Sequence, residues 1–217
     1  PKLITPHEGN VSYGAYTFTR DNAALIYATN EYGEFSQAWR YDLASGKKSP
    51  VVEADWDVAF LQYSPTGRYR VSAINEDALT AVTILDQTSG ETVTLDGLPE
   101  GSLGSIRFDP AETRIAFTLT SDTSPTDIYV ADLASGAATR LTKALNPAID
   151  EDDLVTATVA RFPSYDGLEI PGILYRPRGA SAASPAPAVV LVHGGPGGQS
   201  TRGYSAMIQH LVNNGYA

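Results

Sequence analysis

The sequence has no cysteine, which excludes disulfides, a thiol nucleophile and a cysteine-ligated zinc site. Histidine is scarce as well. His7, His193 and His210 stand at unrelated spacings, so no metal site and no cofactor are expected. Basic residues are in the minority: 15 Lys and Arg against 25 Asp and Glu leave a net charge of −10. That balance argues against nucleic-acid binding, which calls for a basic face, and against anionic membrane surfaces. No apolar run approaches the roughly 20 residues of a membrane-spanning helix. The opening residues, Pro1 to Glu8, lack the apolar h-region of a signal peptide. The compartment stays open, with the cytoplasm favoured. What remains is ordinary globular composition, 42% hydrophobic and 18% charged, over 217 residues, enough for one large or two small domains.

Two landmarks recur in step. Phe18, Tyr63 and Phe108 each open a polar turn and are spaced 45 residues apart. Each turn leads into a short β-rich run beginning at Ala24, Tyr69 and Arg114. The second landmark is an Asp followed, after a short spacer, by Ser-Gly: Asp42 to Gly46, Asp86 to Gly90 and Asp132 to Gly136. Each unit reads as four short strands. In the middle one these are Asp57–Tyr63, Arg68–Ile74, Thr80–Leu85 and Thr92–Leu95, separated by turn residues. Four strands in about 45 residues is the period of a β-propeller blade, a unit that must stack to bury its faces. A β-sandwich with accidental internal similarity is the alternative. Pro1–Asn10 reads as the last strand of a preceding unit, so the expectation is about three blades of an incomplete propeller.

A polar, acidic break follows at Asn146–Asp153 and is the expected domain boundary, dividing 1–146 from 147–217. Its acid run, Asp150–Asp153, lacks calcium-loop spacing and reads as solvated linker. Val155–Ser164 and Leu168–Tyr175 are β-rich and flank Asp166-Gly167, a strong hairpin signal. A small-residue loop then leads to Ala188–Val192, a short unbroken apolar run that predicts a strand buried on both faces of a parallel sheet. It empties into a Gly-rich turn, His193 to Gly198, where missing Cβ atoms leave backbone N–H groups open to a ligand. Tyr204, Met207, Ile208, Leu211 and Val212 then predict one apolar stripe of a helix, ended by Asn213, Asn214 and Gly215. Tyr216-Ala217 would open the next strand.

His193-Gly194-Gly195-Pro196 after a buried strand resembles the oxyanion loop of α/β-hydrolases, specifically the prolyl oligopeptidase family of serine peptidases, in its acylaminoacyl-peptidase or dipeptidyl-peptidase-like branch. The motif alone is equally similar to that of proline iminopeptidases, which lack a propeller; the upstream repeats favour the first family. A tight Gly-Pro turn without chemistry is the bland alternative. The resemblance implies a partial β-propeller followed by the N-terminal part of an α/β-hydrolase domain. It implies that the Gly195 N–H is an oxyanion-hole donor, with His193, Gly194 and Pro196 supporting the loop. It further implies peptide substrates, gated by the propeller and cleaved by a Ser-His-Asp triad.

That triad is missing from the sequence. No Gly-x-Ser-x-Gly elbow is present, and Ser200 and Ser205 lie outside such a turn. The expected partner is therefore the remainder of the same polypeptide, carrying the triad beyond Ala217. The 217 residues alone are expected to be inactive, with homo-oligomerisation open. Glu31, Glu34, Tyr32 and Trp39 could bind a peptide amino terminus, although exposed blade turns are the plainer reading. A non-catalytic interaction module, similar to TolB-type propellers, is the alternative function.

Overall fold

The computed structural model describes residues 3–195 and 197–217. Strands β1 (Tyr13–Phe18), β2 (Ala24–Thr29), β3 (Gln37–Asp42) and β4 (Lys48–Val52) pair antiparallel in chain order as one sheet. Strands β5 (Val58–Tyr63), β6 (Tyr69–Glu76) and β7 (Leu79–Asp86) form a second. Strands β8 (Ser102–Phe108), β9 (Arg114–Thr120), β10 (Asp127–Asp132) and β11 (Ala138–Arg140) form a third. Alternation along the strands supplies the faces that pack: on β9, Ile115, Phe117 and Leu119 point inward and are buried. Ile26 and Ala38 meet Val58 and Leu61 between the first two sheets. Val71 and Ile84 meet Ile106, Ile115 and Phe117 between the second and third. Successive meanders covering one another in this way make a propeller-like arrangement.

The repeated Asp and Ser-Gly have a local cause. At the end of β3, the Asp42 carboxylate accepts from the Ser45 N–H at 2.8 Å and its hydroxyl at 2.7 Å, while the Gly46 N–H donates to the Asp42 carbonyl. Asp132 and Ser135 repeat the pattern after β10. The turn closes through left-handed backbone at Gly46, Gly90 and Gly136 (φ 72, 78 and 73°), a region in which a Cβ is penalised. At Gly136 a Cβ would also lie 2.3 Å from the Thr94 carbonyl oxygen.

Two expected strands do not form. Residues 3–10 contain none and join none of the described sheets. Thr92–Leu95 is not a full fourth strand of the second sheet; it makes a single bridge, Leu85 to Thr92, followed by one bond from the Val93 N–H to Ile84. It then leaves that sheet, and Asp96 pairs in parallel with Ala137 at the turn of the third. The competing partner is the Gly136 carbonyl, which accepts the Asp96 N–H at 2.9 Å.

Beyond the third sheet the acid run forms a 3-10 turn at Glu151–Asp153, capped by the Asp150 side chain. Strands β12 (Thr158–Pro163) and β13 (Glu169–Leu174) make a separate antiparallel hairpin, with Gly167 at φ 86° in its turn. Helix α1 (Ala206–Asn213) is capped by Ser205. The predicted apolar stripe is only partly its inner face. Tyr204 precedes the helix and Met207 is 58% exposed, whereas Gln209 and Val212 are buried. Gln209 displaces apolar residues inward because its amide satisfies three backbone groups: it donates to the Asp122 and Val155 carbonyls and accepts the Val155 N–H.

Candidate active-site loop

Ala188–Val192 forms no strand and is not buried: Val190 and Val192 are 82% and 84% exposed. A parallel strand owes its burial to flanking strands and covering helices. Among the described residues, the flank is bonded at one point only. The Ala217 N–H donates to the Pro187 carbonyl and the Val189 N–H donates to the Ala217 carbonyl, both at 2.8 Å. Those two bonds are the pattern of a parallel pairing between Ala188 and Ala217, so a strand–loop–helix–strand path is begun. Helix α1 stands off across a largely apolar cavity of 430 Å³, with Val189 and Leu191 on one wall and Ile208, Leu211 and Tyr216 on the other.

The Gly-rich turn is solvent-exposed at His193, Gly194 and Gly195, and Pro196 lies outside the described residues. Gly195 is left-handed at φ 70° and Gly197 at φ 78°. A Cβ at Gly195 would meet nothing within 4 Å, so the glycine answers to backbone conformation and not to crowding. Gly198 is the crowded position: a Cβ there would fall 2.7 Å from the Gly194 carbonyl oxygen and 3.3 Å from His193 Nδ1. The turn thus folds back on itself at Gly194 and Gly198. His193 contributes a marginal 3.5 Å contact from Nδ1 to the Gly194 carbonyl. Among the described residues, no acceptor takes the Gly195 N–H.

The flank after the turn is held firmly. Gln199 and Asn75 of β6 exchange a pair of side-chain amide bonds at 2.7 and 3.0 Å. The Arg202 N–H donates to the Ala78 carbonyl, and its guanidinium reaches Asp122 at 2.8 Å and Glu100 at 2.8 Å. Asp122 sits in the β9–β10 connection and is 4% exposed. It also accepts the Tyr175 hydroxyl at 2.8 Å and the Ala157 N–H at 3.0 Å. Burial, and then Asp122, push the Tyr175 hydroxyl pKa well up; bonding to Glu100, and then to Asp122, holds the Arg202 guanidinium protonated. Asp122 was invisible in the sequence, because nothing local distinguishes it from the other acids of the repeats.

A cavity of 410 Å³ is lined by Phe35, Trp56, Asp57 and Asn75 of the propeller-like part, by Pro171 and Ile173 of β13, and by His193 and Gln199. The group expected to meet a peptide amino terminus does not line it. Glu31 is paired with Lys48 at 2.9 Å, and Tyr32 packs on Trp39 with ring centroids 3.9 Å apart. The Lys48 bond lowers the Glu31 pKa. Phe35, Trp56 and Asp57 line it instead, and their approach to residue 193 is too long-range for the sequence to show. Ser205 caps α1, and all three histidines bond only to backbone carbonyls or Asn214, so the described residues hold no serine–histidine pair.

Comparison with known proteins bears on this arrangement. No family model matches the chain. Dipeptidyl aminopeptidase BIII of Pseudoxanthomonas mexicana is 27% identical over 98% of the chain. A puromycin hydrolase structure superposes over 95% of the chain with a TM-score of 0.77 at 19% identity, covering 32% of that protein. A prolyl endopeptidase structure superposes over 99% with a TM-score of 0.77 at 16% identity, covering 31% of that protein. The chain is similar to a segment of the prolyl oligopeptidase family. The chain spans about a third (32%) of the length of the curated relative it matches.

Proposed function

We propose that this segment serves a serine peptidase of the prolyl oligopeptidase type, to which residues 1–146 contribute propeller blades and 147–217 the opening of the hydrolase domain. In this reading the Gly195 N–H is an oxyanion-hole donor, and the Ser-His-Asp triad and the second donor lie elsewhere in the full polypeptide. The observation that carries it is the Gly195 N–H, unclaimed among the described residues and set in a left-handed turn beside a cavity walled by Phe35, Trp56 and Asp57. A serine oxygen attacks the peptide carbonyl, and the carbonyl oxygen gains negative charge as the tetrahedral species forms. A fixed backbone donor binds that oxygen more strongly in the transition state than in the substrate, which is the condition for acceleration. The turn's open side admits a peptide to the cavity, and the sheet wall restricts what can lie across it.

The test separates conformation from the donor. Because φ at Gly195 is 70°, proline both removes the N–H and opposes the turn, whereas alanine keeps the N–H in a disfavoured but accessible region. In the full-length polypeptide, Gly195→Pro should lower kcat on short peptide substrates by roughly 10²–10³-fold. Gly195→Ala should lose about tenfold or less, the cost of a Cβ in the left-handed region. Equal turnover in wild type and a folded Gly195→Pro protein would place the donor elsewhere.

A further inference from the structure

The turn joining β6 to β7 has only two residues, Asp77 and Ala78, between the paired Glu76 and Leu79. Both are left-handed, at φ 45° and 67°. Such turns favour Asn-Gly or Asp-Gly, and alanine is a poor choice for the second position. The disfavoured conformation coincides with an unusual density of attachments from the other end of the chain. Arg161 of β12 makes an ion pair with Asp77. The Arg202 N–H donates to the Ala78 carbonyl at 2.8 Å. Asn75, two residues before the turn, holds Gln199 by the reciprocal amide pair.

We propose that this hairpin tip sets the position of the Gly195 turn, with Asn75 as the positioning residue acting through Gln199. The inference rests on the oxyanion reading above. Two antiparallel bonds between planar amides fix both the place and the rotation of the Gln199 side chain, which one bond could not do. Gln199 directly follows Gly198, and Gly198 packs so closely on the Gly194 carbonyl that no Cβ fits between them. A displacement at Gln199 therefore passes across the 194–198 closure to the Gly195 N–H. The Arg202 bond to Ala78 fixes the far side of the same segment. The propeller-like part, and not the hydrolase loop alone, thus determines where the donor points.

The experiment uses the full-length polypeptide and the variants Asn75→Ala, Gln199→Ala, the double variant and Gln199→Glu. Backbone order parameters over residues 193–203, from amide nitrogen relaxation, are measured beside kcat and KM on a short peptide ester. Asn75→Ala should lower the order parameters at Gly194, Gly195 and Gly198 and lower kcat about tenfold with KM within about twofold, since misplacement on the order of 1 Å can cost up to about 10²-fold. The double variant should be no worse than either single one. Gln199→Glu should recover relative to wild type as pH falls through the glutamate range, because a protonated carboxyl restores one donor and one acceptor in the amide's geometry. Unchanged order parameters in Asn75→Ala overturn the proposal whether or not the protein is active. Lowered order with unchanged kcat also overturns it. If the wild-type polypeptide hydrolyses no peptide, the oxyanion reading falls, and the relaxation measurement still decides whether Asn75 holds the turn.

Discussion

Asp122 shows how much a single buried carboxylate organises. Four donor groups, the Ala157 N–H, the Tyr175 hydroxyl and Arg202 Nε and Nη2, meet its two oxygens, and its own carbonyl accepts the Gln209 amide. Burial of a charge is costly unless it is paired and fully hydrogen-bonded, and this one is. Removing it leaves Arg202, whose side chain is 8% exposed, with Glu100 alone. Asp122→Ala is expected to destabilise the fold by roughly 3–5 kcal/mol, the range for breaking a buried pair. Tyr175→Phe, which removes one bond to a charged group, should cost about 1.5–3 kcal/mol. Thermal or urea unfolding of the two variants checks the order, and equal losses would mean that Arg202 is satisfied without Asp122. Neither Asp122 nor Gln209 could be picked out of the sequence, because their partners lie far along the chain. Gly195 carries its motif in the sequence and has left-handed backbone at φ 70°, a conformation that favours glycine; its role rests on the reading proposed above.

At the scale of the element, the β-turns explain why the repeat could be read at all. Asp42, Asp86 and Asp132 carry lowered pKa values: the Ser45 bonds and then Arg40 bring Asp42 down to about 2, Arg68 across the sheet and then Thr88 within the turn lower Asp86, and Ser135 lowers Asp132. A carboxylate lowered on folding stabilises the folded state above its unfolded pKa, near 3.9, and loses that contribution as pH falls through the folded value. The Asp42 turn should therefore weaken between about pH 4 and pH 2, and the Asp86 and Asp132 turns as pH falls below about 4. Asp42→Asn, which keeps the acceptor but cannot titrate, should show a shallower fall in melting temperature over that window than wild type. A parallel fall in both would assign acid sensitivity to other groups. Such turns are legible because the residues that make them are neighbours in sequence. Ala188–Val192 was misread for the opposite reason: its composition is that of a buried strand, yet burial is conferred by other segments, and here only Ala217 pairs with it.

For the whole molecule, the order of elements was readable and their mutual placement was not. The constant spacing of 45 anticipated stacked antiparallel sheets. It could not anticipate that Asn75, Asp77 and Ala78 of the second sheet would meet Gln199, Arg161 and Arg202. Those contacts, with the Asp122 cluster, join the sheets to the hairpin and helix through polar groups instead of a shared apolar core.

The segment after β7, bonded first to Ile84 and then to Gly136, carries a consequence for how the molecule breathes. Fraying of either sheet strips hydrogen bonds that also hold the other, so the second and third sheets should open as one foldon. The first and second sheets are also linked, by the Val58 N–H on the Ser36 carbonyl and the Ser36 N–H on the Asp57 carboxylate. Native-state exchange would show the coupling of the second and third sheets as a common opening free energy for the amides of β7 and β10. Distinct values for β7 and β10 would mean that the crossing strand is too weak to couple them.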